Sequence, residues 1–190
     1  MQIILTRSFN NYSFLRYFVF KIDNHKSNKI NNLPVKTHKY AFIFNVSELI
    51  QLELNNFTEF NKIYIHKLLK KKCVLFVIYN KRQLIYTAWI STSNLTHKII
   101  DDVSFKFLEN KRKYAVWGNA YTHNNYRNLG LNKFALQESI NYLSSIGLNY
   151  TFSSVDFTNL FSVNSFTKLS HFLKFEFRVI KILFLKIVIK

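Results

Sequence analysis

The order of elements written into this sequence is that of an α/β protein with a mixed sheet. Three observations predict it. From residue 38 onward, segments with the short period of strands alternate with segments of helical period. A strand, a helix and a second strand follow one another across residues 113–156, the pattern of a parallel crossover. Ahead of it, two apolar runs are joined by three polar residues, which marks a hairpin.

Taken in order, YSFLRYFVFKI (12–22) is aromatic and β-branched and reads as a strand. The polar stretch DNHKSNKINNLPVKT holds the sole proline and reads as a loop. HKYAFIFNV (38–46) is the next strand. At Asn45 the period changes, and Asn45 with Glu48 three positions on resembles a capping box. Leu49, Leu52, Phe57, Phe60, Ile63 and Tyr64 then recur near helical spacing, predicting one broken helix or two over 46–71. CVLFVIY and QLIYTAWIS flank Asn80-Lys81-Arg82, a hairpin turn without glycine. KYAVWGNAYT (113–122) is a further strand. Leu131, Phe134, Leu136, Ile140, Leu143 and Ile146 then share one helical face, and Gly147 stands at the C-cap. TFSSVDF reads as a strand, LFSVNSFTKL as a helix, and FLKFEFRV as a strand with Lys174, Glu176 and Arg178 facing out. The tail is a last strand. Residues 1–37 are expected to form an N-terminal extension with an extra strand, packed on a domain of residues 38–190.

Composition narrows the function classes. The chain has 190 residues, 48% hydrophobic and 17% aromatic, enough for a real core and too apolar for disorder. A single cysteine, Cys73, excludes an internal disulfide and a multi-cysteine metal cluster, and its apolar run makes it core filler ahead of nucleophile. The other histidines lack metal-ligand spacing, so no metal is expected. No signal peptide is evident, and the apolar tail is broken by Lys181 and Lys186, so a cytoplasmic protein without a transmembrane segment is expected, as monomer or homodimer. A net charge of +17 attracts polyanions. The lysines are scattered, however, which favours a diffuse basic surface over a nucleic-acid groove and leaves nucleic acid as the second partner class.

The chemistry concentrates in YTHNNYRNLGLN (121–132), where a strand gives way to a helix. The first N–H groups of a helix lack internal partners and carry partial positive charge. A glycine there lets an anion approach the backbone, so Gly130 with Arg127 beside it suits a phosphate. By itself Arg-x-x-Gly fits an ordinary strand–helix turn as well.

The segment YRNLGLN resembles the pyrophosphate-binding loop of the GNAT superfamily of acyl-CoA N-acyltransferases, typically Arg/Gln-x-x-Gly-x-Gly/Ala. After Gly147, YTFSSVDFTNLFSVNSFTKLSHF resembles that family's next strand and helix, with Asn159, Ser162, Ser165 and Lys168 at matching places. The resemblance implies the GNAT fold, a central mixed, mostly antiparallel sheet flanked by helices, with acetyl-CoA or another acyl-CoA as co-substrate and a primary amine as acceptor. It places the co-substrate on Tyr121, Thr122, Arg127, Asn128, Leu129, Gly130, Leu131, Asn132, Asn159, Ser162 and Ser165. It also implies direct attack of the amine on the thioester, with a strand N–H from 113–122 binding the thioester oxygen. Titratable candidates for the amine's proton are His123 and Asp156, of which Asp156 suits a helix cap equally well. Trp89, Trp117 and Tyr121 read as core or pocket wall.

The sequence departs from the family pattern at four places. Asn132 replaces a small residue, Asn124 a proline, and Ser170-His171 a Gly-Phe pair. Phe166 replaces the tyrosine that many members use to protonate the leaving thiolate, and phenylalanine has no proton to give. Phe166 lies either beside the reacting sulfur or in the core, and the sequence leaves both open. The net charge adds an expectation that the acceptor is anionic, a nucleotide-linked amino sugar or a peptide. The alternative is a basic nucleic-acid-binding or regulatory protein that keeps the fold without the chemistry.

Overall fold

The computed structural model describes residues 12–26, 33–55, 59–93, 96–97, 100, 114–167, 172–182 and 185–189. Residues 12–19, 59–62, 172–182 and 185–189 are described by their backbone alone. Eight strands form one sheet in the order β2-β3-β4-β5-β6-β1-β7-β8. They are β1 (Tyr12–Asp23), β2 (Lys39–Ile43), β3 (Val74–Asn80), β4 (Gln83–Ser91), β5 (Tyr114–Thr122), β6 (Tyr150–Asp156), β7 (Phe172–Ile182) and β8 (Leu185–Ile189). Four α-helices are described: α1 (Val46–Gln51), α2 (Glu59–Lys70), α3 (Leu131–Ser145) and α4 (Leu160–Thr167). The β5–β6 pair is parallel and the others are antiparallel, so the mixed, mostly antiparallel sheet is as expected.

The local signals act where they were read. Asn45 caps α1, its side chain accepting the Glu48 N–H at 3.0 Å, while the Glu48 carboxylate accepts the Phe44 N–H at 2.7 Å. The helical stretch is two helices, and Glu53 takes a left-handed φ of 46° between them. Lys81, with φ 53°, does the work of glycine in the β3–β4 turn. Gly147 (φ 77°) closes α3, the N–H of Leu148 reaching back to the Leu143 carbonyl at 3.0 Å. The outward face of Lys174, Glu176 and Arg178 lies outside the described side chains.

Apolar alternation builds a core on each face of the sheet. In β3, Val74, Phe76 and Ile78 join one cluster with α3 and α4 residues, while Leu75 and Val77 join the other with Leu49, Ile65, Leu68 and Leu69 of α1 and α2. Burial on both faces is why this strand reads as an unbroken apolar run. Cys73 is fully buried in the second cluster, and burial pushes its thiol pKa up. The N-terminal strand is hydrogen-bonded on both sides, to β6 and to β7, and so lies inside the sheet. Asn24 anchors its end, donating to the Leu148 carbonyl at 2.8 Å and accepting from Thr151 at 2.7 Å.

The second core holds a buried polar cluster. The Nδ1 of His97 lies 2.9 Å from the Ser91 hydroxyl, which also meets Thr96, and the imidazole stacks on Tyr114 at 4.7 Å. Its Nε2 is buried without a partner among the described residues. Burial lowers the His97 pKa to about 4, so the folded protein holds this ring neutral. The unfolded chain takes up a proton near pH 6.5 and the folded chain does so only near 4, so stability is full above 6.5 and falls with pH across that window. Chemical denaturation at pH 7 and pH 4.5 should differ by on the order of 2 kcal/mol from this group. His97→Asn should flatten that slope, and an unchanged slope would show that other groups govern it.

Candidate functional site

β5 and β6 share hydrogen bonds only at their starts, at Tyr114↔Tyr150, Ala115↔Thr151 and Val116↔Phe152. Beyond these pairs β5 stays on β4 and β6 stays on β1, so their outer edges remain paired while their inner edges part. The six residues from Trp117 to Thr122 extend for about 20 Å along this opening. Among the described residues, their inward N–H and C=O groups have no strand partner.

Buried aromatics fill the closed end. Trp117 donates its indole N–H to Ser139 of α3 at 3.2 Å, and Phe166 of α4 lies edge-on to Trp117 with ring centroids 5.9 Å apart. Phe166 also stacks on Phe20 of β1 at 4.7 Å and is 1% exposed. Of the two positions open to Phe166, the structure shows the packed one.

Further along β5 the strand bulges. Gly118 pairs with Trp89 and Tyr121 with Thr87, so Asn119 and Ala120 together oppose Ala88. Asn119 takes a left-handed φ of 48° and donates its side-chain amide to the Tyr64 hydroxyl of α2 at 3.3 Å. In the sequence, Gly118-Asn119 inside a strand is the signal for this pair.

At the carboxyl end of β5 the chain enters the candidate anion loop. His123 continues the ladder, its N–H bonded to the Ile85 carbonyl at 2.8 Å. A 3-10 turn over Asn124–Tyr126 leads to Arg127, which is exposed with its Nε 3.5 Å from the Thr122 carbonyl. Asn128 (φ 64°) and Gly130 (φ 73°) are left-handed, and Gly130 is the N-cap of α3. Among the described residues, the N–H groups of Asn128 through Lys133 have no acceptor, and the first turn of α3 carries no acidic residue. The loop is thus an exposed, donor-rich helix start with a cation beside it.

Asn132 turns inward, accepting the Tyr86 hydroxyl at 2.8 Å. Tyr86 is wholly buried, so the larger residue at this loop position satisfies a core phenol and leaves the backbone N–H outward. Residues 33–38 run along the back of the loop. A Cβ on Gly130 would stand 3.9 Å from Pro34, and His38 meets Tyr126 edge-on at 5.6 Å. His123 contacts the same tyrosine ring at 5.8 Å, and Tyr126 donates to Gln83 at 3.0 Å. Burial lowers the His38 pKa, and the His38 Nε2 and His123 Nδ1 are buried without partners among the described residues.

The β6–α4 side is organised by its own turn. Asp156 accepts the Thr158 N–H at 2.9 Å and the Thr158 hydroxyl at 2.6 Å. Asn159 caps α4, accepting the Ser162 N–H at 3.1 Å, and the Ser165 hydroxyl bonds back to the Phe161 carbonyl at 2.9 Å. Exposed Tyr121, Leu129, Phe157, Leu160 and Phe161 surround the mouth of the opening. The structure therefore brings Tyr121 through Asn132 to one end of the open strands and Asp156 through Ser165 to the other wall. Lys168, Ser170 and His171 lie outside the described residues. Among the described residues no group of three His, Cys, Asp or Glu side chains is placed to hold a metal, and no helix is long and apolar enough to cross a membrane.

No protein-family model matches the chain, and no curated protein matches its sequence. Solved structures do match its fold. A GNAT-family acetyltransferase from Colwellia psychrerythraea superposes with a TM-score of 0.57 at 12% identity, over 90% of this chain and 56% of that one. A GCN5-related N-acetyltransferase-like protein from Streptococcus suis gives 0.55 at 14%, over 90% and 63%. The GCN5-related glucosamine N-acetyltransferase region of a fungal multi-domain β-N-acetylglucosaminidase gives 0.59 at 14%, over 88% and 21%. The chain has the fold of the GNAT superfamily of N-acetyltransferases. It spans less than two-thirds of the length of each of these three chains, and at such identities the likeness is one of fold.

Packing around Phe166 yields a test. In Phe166→Tyr the new hydroxyl enters space shared with Phe20 and Trp117, where no acceptor is described. The variant should be destabilised by about 1–3 kcal/mol, read as a lower melting temperature. A variant of unchanged stability would show that the ring does not pack in the core.

Proposed function

We propose that this chain is an acyl-CoA-dependent N-acetyltransferase that passes an acetyl group from acetyl-CoA directly to a primary amine. One observation carries the reading. The donor-rich loop at the start of α3 stands at the end of two parallel strands whose facing edges are unpaired. A pyrophosphate suits the first feature and an extended amide-bearing arm the second, because open strand edges pair with amides. In this reading Arg127 and the backbone of Asn128–Asn132 hold the pyrophosphate, while Tyr121, Thr122 and the α4 wall of Asn159, Ser162 and Ser165 flank the arm. An N–H of the Asn119–Ala120 bulge binds the thioester oxygen.

The acceptor reaches neutral pH as an ammonium ion and must lose a proton before attack. His123 and Asp156, at the carboxyl ends of the two diverging strands, are the titratable groups we assign to that transfer. The loop's lack of acidic residues and the +17 charge of the chain support acyl transfer by a basic protein. Nothing in the geometry favours a nucleic-acid groove over it.

Calorimetric titration with acetyl-CoA should give micromolar or tighter binding and a raised melting temperature by mass action. Gly130→Asp should abolish both, since it sets a carboxylate against the phosphates. Aspartate is among the residues that tolerate left-handed backbone, and Pro34 leaves room for a Cβ, so the variant should still fold. Unchanged binding in the folded variant would remove the loop from the reading.

The acceptor class is open to a separate measurement. A positive field concentrates anions, so amines carrying phosphate or carboxylate groups should be acetylated with the highest kcat/KM, and added salt should depress it. Turnover confined to polyamines would contradict this assignment.

A further inference from the structure

An acyl transfer through this site needs a proton for the departing thiolate, and among the described residues the aromatic and titratable side chains on the α3–α4 face do not provide one. Trp117 is bonded to Ser139, and Phe166 fills the remaining space. Asp156 is an acceptor occupied by Thr158. His123 stands four residues beyond Asn119, about 13 Å along the strand. The opposite face differs. There the bulge turns Asn119 toward α2, and the side-chain amide grips the Tyr64 hydroxyl at 3.3 Å. Tyr64 is half-buried, and its ring is set edge-on to Trp89 with centroids 6.4 Å apart.

We propose that Tyr64, held by Asn119 at the open stretch of β5, donates the proton to the leaving thiolate. The assignment rests on the acyltransferase reading above. Because Asn119 donates to the phenolic oxygen, the Tyr64 O–H is left free to donate elsewhere. Burial raises the Tyr64 pKa, so the proton is present at neutral pH. In the reaction, the amine nitrogen bonds to the thioester carbon and the C–S bond breaks, its electron pair leaving on sulfur. The phenolic proton passes to that sulfur. The surplus proton on the new amide nitrogen then returns to the phenolate, which balances the cycle. The left-handed backbone of Asn119 is uncommon in a strand and is spent on aiming this side chain.

The test uses the full chain with acetyl-CoA as donor and hydroxylamine as a small generic acceptor, following thiol release. Tyr64→Phe should lower kcat about 10²-fold while the Kd for acetyl-CoA, measured by calorimetry, changes less than about two-fold. Asn119→Gly keeps the left-handed turn but frees the phenol, and should lower kcat in the same direction. An unchanged kcat in Tyr64→Phe overturns the proposal. Should that variant fail to fold, tyrosine-labelled wild-type protein decides by NMR, because the Tyr64 phenolic carbon signal must shift when acetyl-CoA binds. Binding with an unmoved signal strikes the proposal alone. No binding of acetyl-CoA by the wild type strikes the acyltransferase reading and the proposal together.

Discussion

A sheet loses stability wherever a strand gives up its hydrogen bonds, since each unpaired N–H or C=O must find another partner. β5 and β6 give them up after Val116 and Phe152, and the surrounding structure holds them apart. Pairing to β4 on one side and β1 on the other fixes the outer edges. Trp117, pinned to α3 through Ser139 and backed by Phe166 and Phe20, wedges the closed end. The N-terminal strand matters here: without β1, β6 would have no neighbour on its far side, and Phe166 would lose its stacking partner.

The two walls present different groups. The α3–α4 wall carries backbone donors, a cation and a packed aromatic cluster. The α2 wall carries the hydroxyl of Tyr64 and the amide of Asn119. The bulge lies between them. An unbroken ladder would alternate side chains strictly between faces, whereas two residues opposite Ala88 re-aim the strand beyond Gly118.

Much of this was legible in the sequence because it depends on local pattern. The period changes at Asn45 and Gly147 mark real helix ends, and the crossover over 113–156 gives a parallel pair. The strand-to-helix loop of Arg127–Asn132 could be located because its glycine stands where the period changes. What stayed hidden depends on distant partners. Nothing in YSFLRYFVFKI says that its neighbours are β6 and β7, because strand pairing is set by the whole sheet. Asn132 read as a departure because Tyr86, its partner, lies 46 positions away. Phe166 kept two readings open because periodicity does not reveal which aromatic rings will stack.

Glycine scarcity ties these threads together. Among the described residues, left-handed backbone occurs at Glu53, Lys72, Lys81, Asn119 and Asn128 and at only two glycines, Gly130 and Gly147. The first three lie in turns beside helices or strands, where exposure lets a long side chain point away. The two asparagines lie on the open stretch of β5 and in the loop before α3. Asparagine is the non-glycine residue that best tolerates this conformation, and unlike glycine it brings a hydrogen-bonding side chain. At 119 that side chain grips Tyr64. At 130, the N-cap of α3, a side chain would stand over the helix-start N–H groups that have no acceptor among the described residues, and there the chain uses one of its three glycines. The choice between asparagine and glycine thus follows what each left-handed position must leave room for.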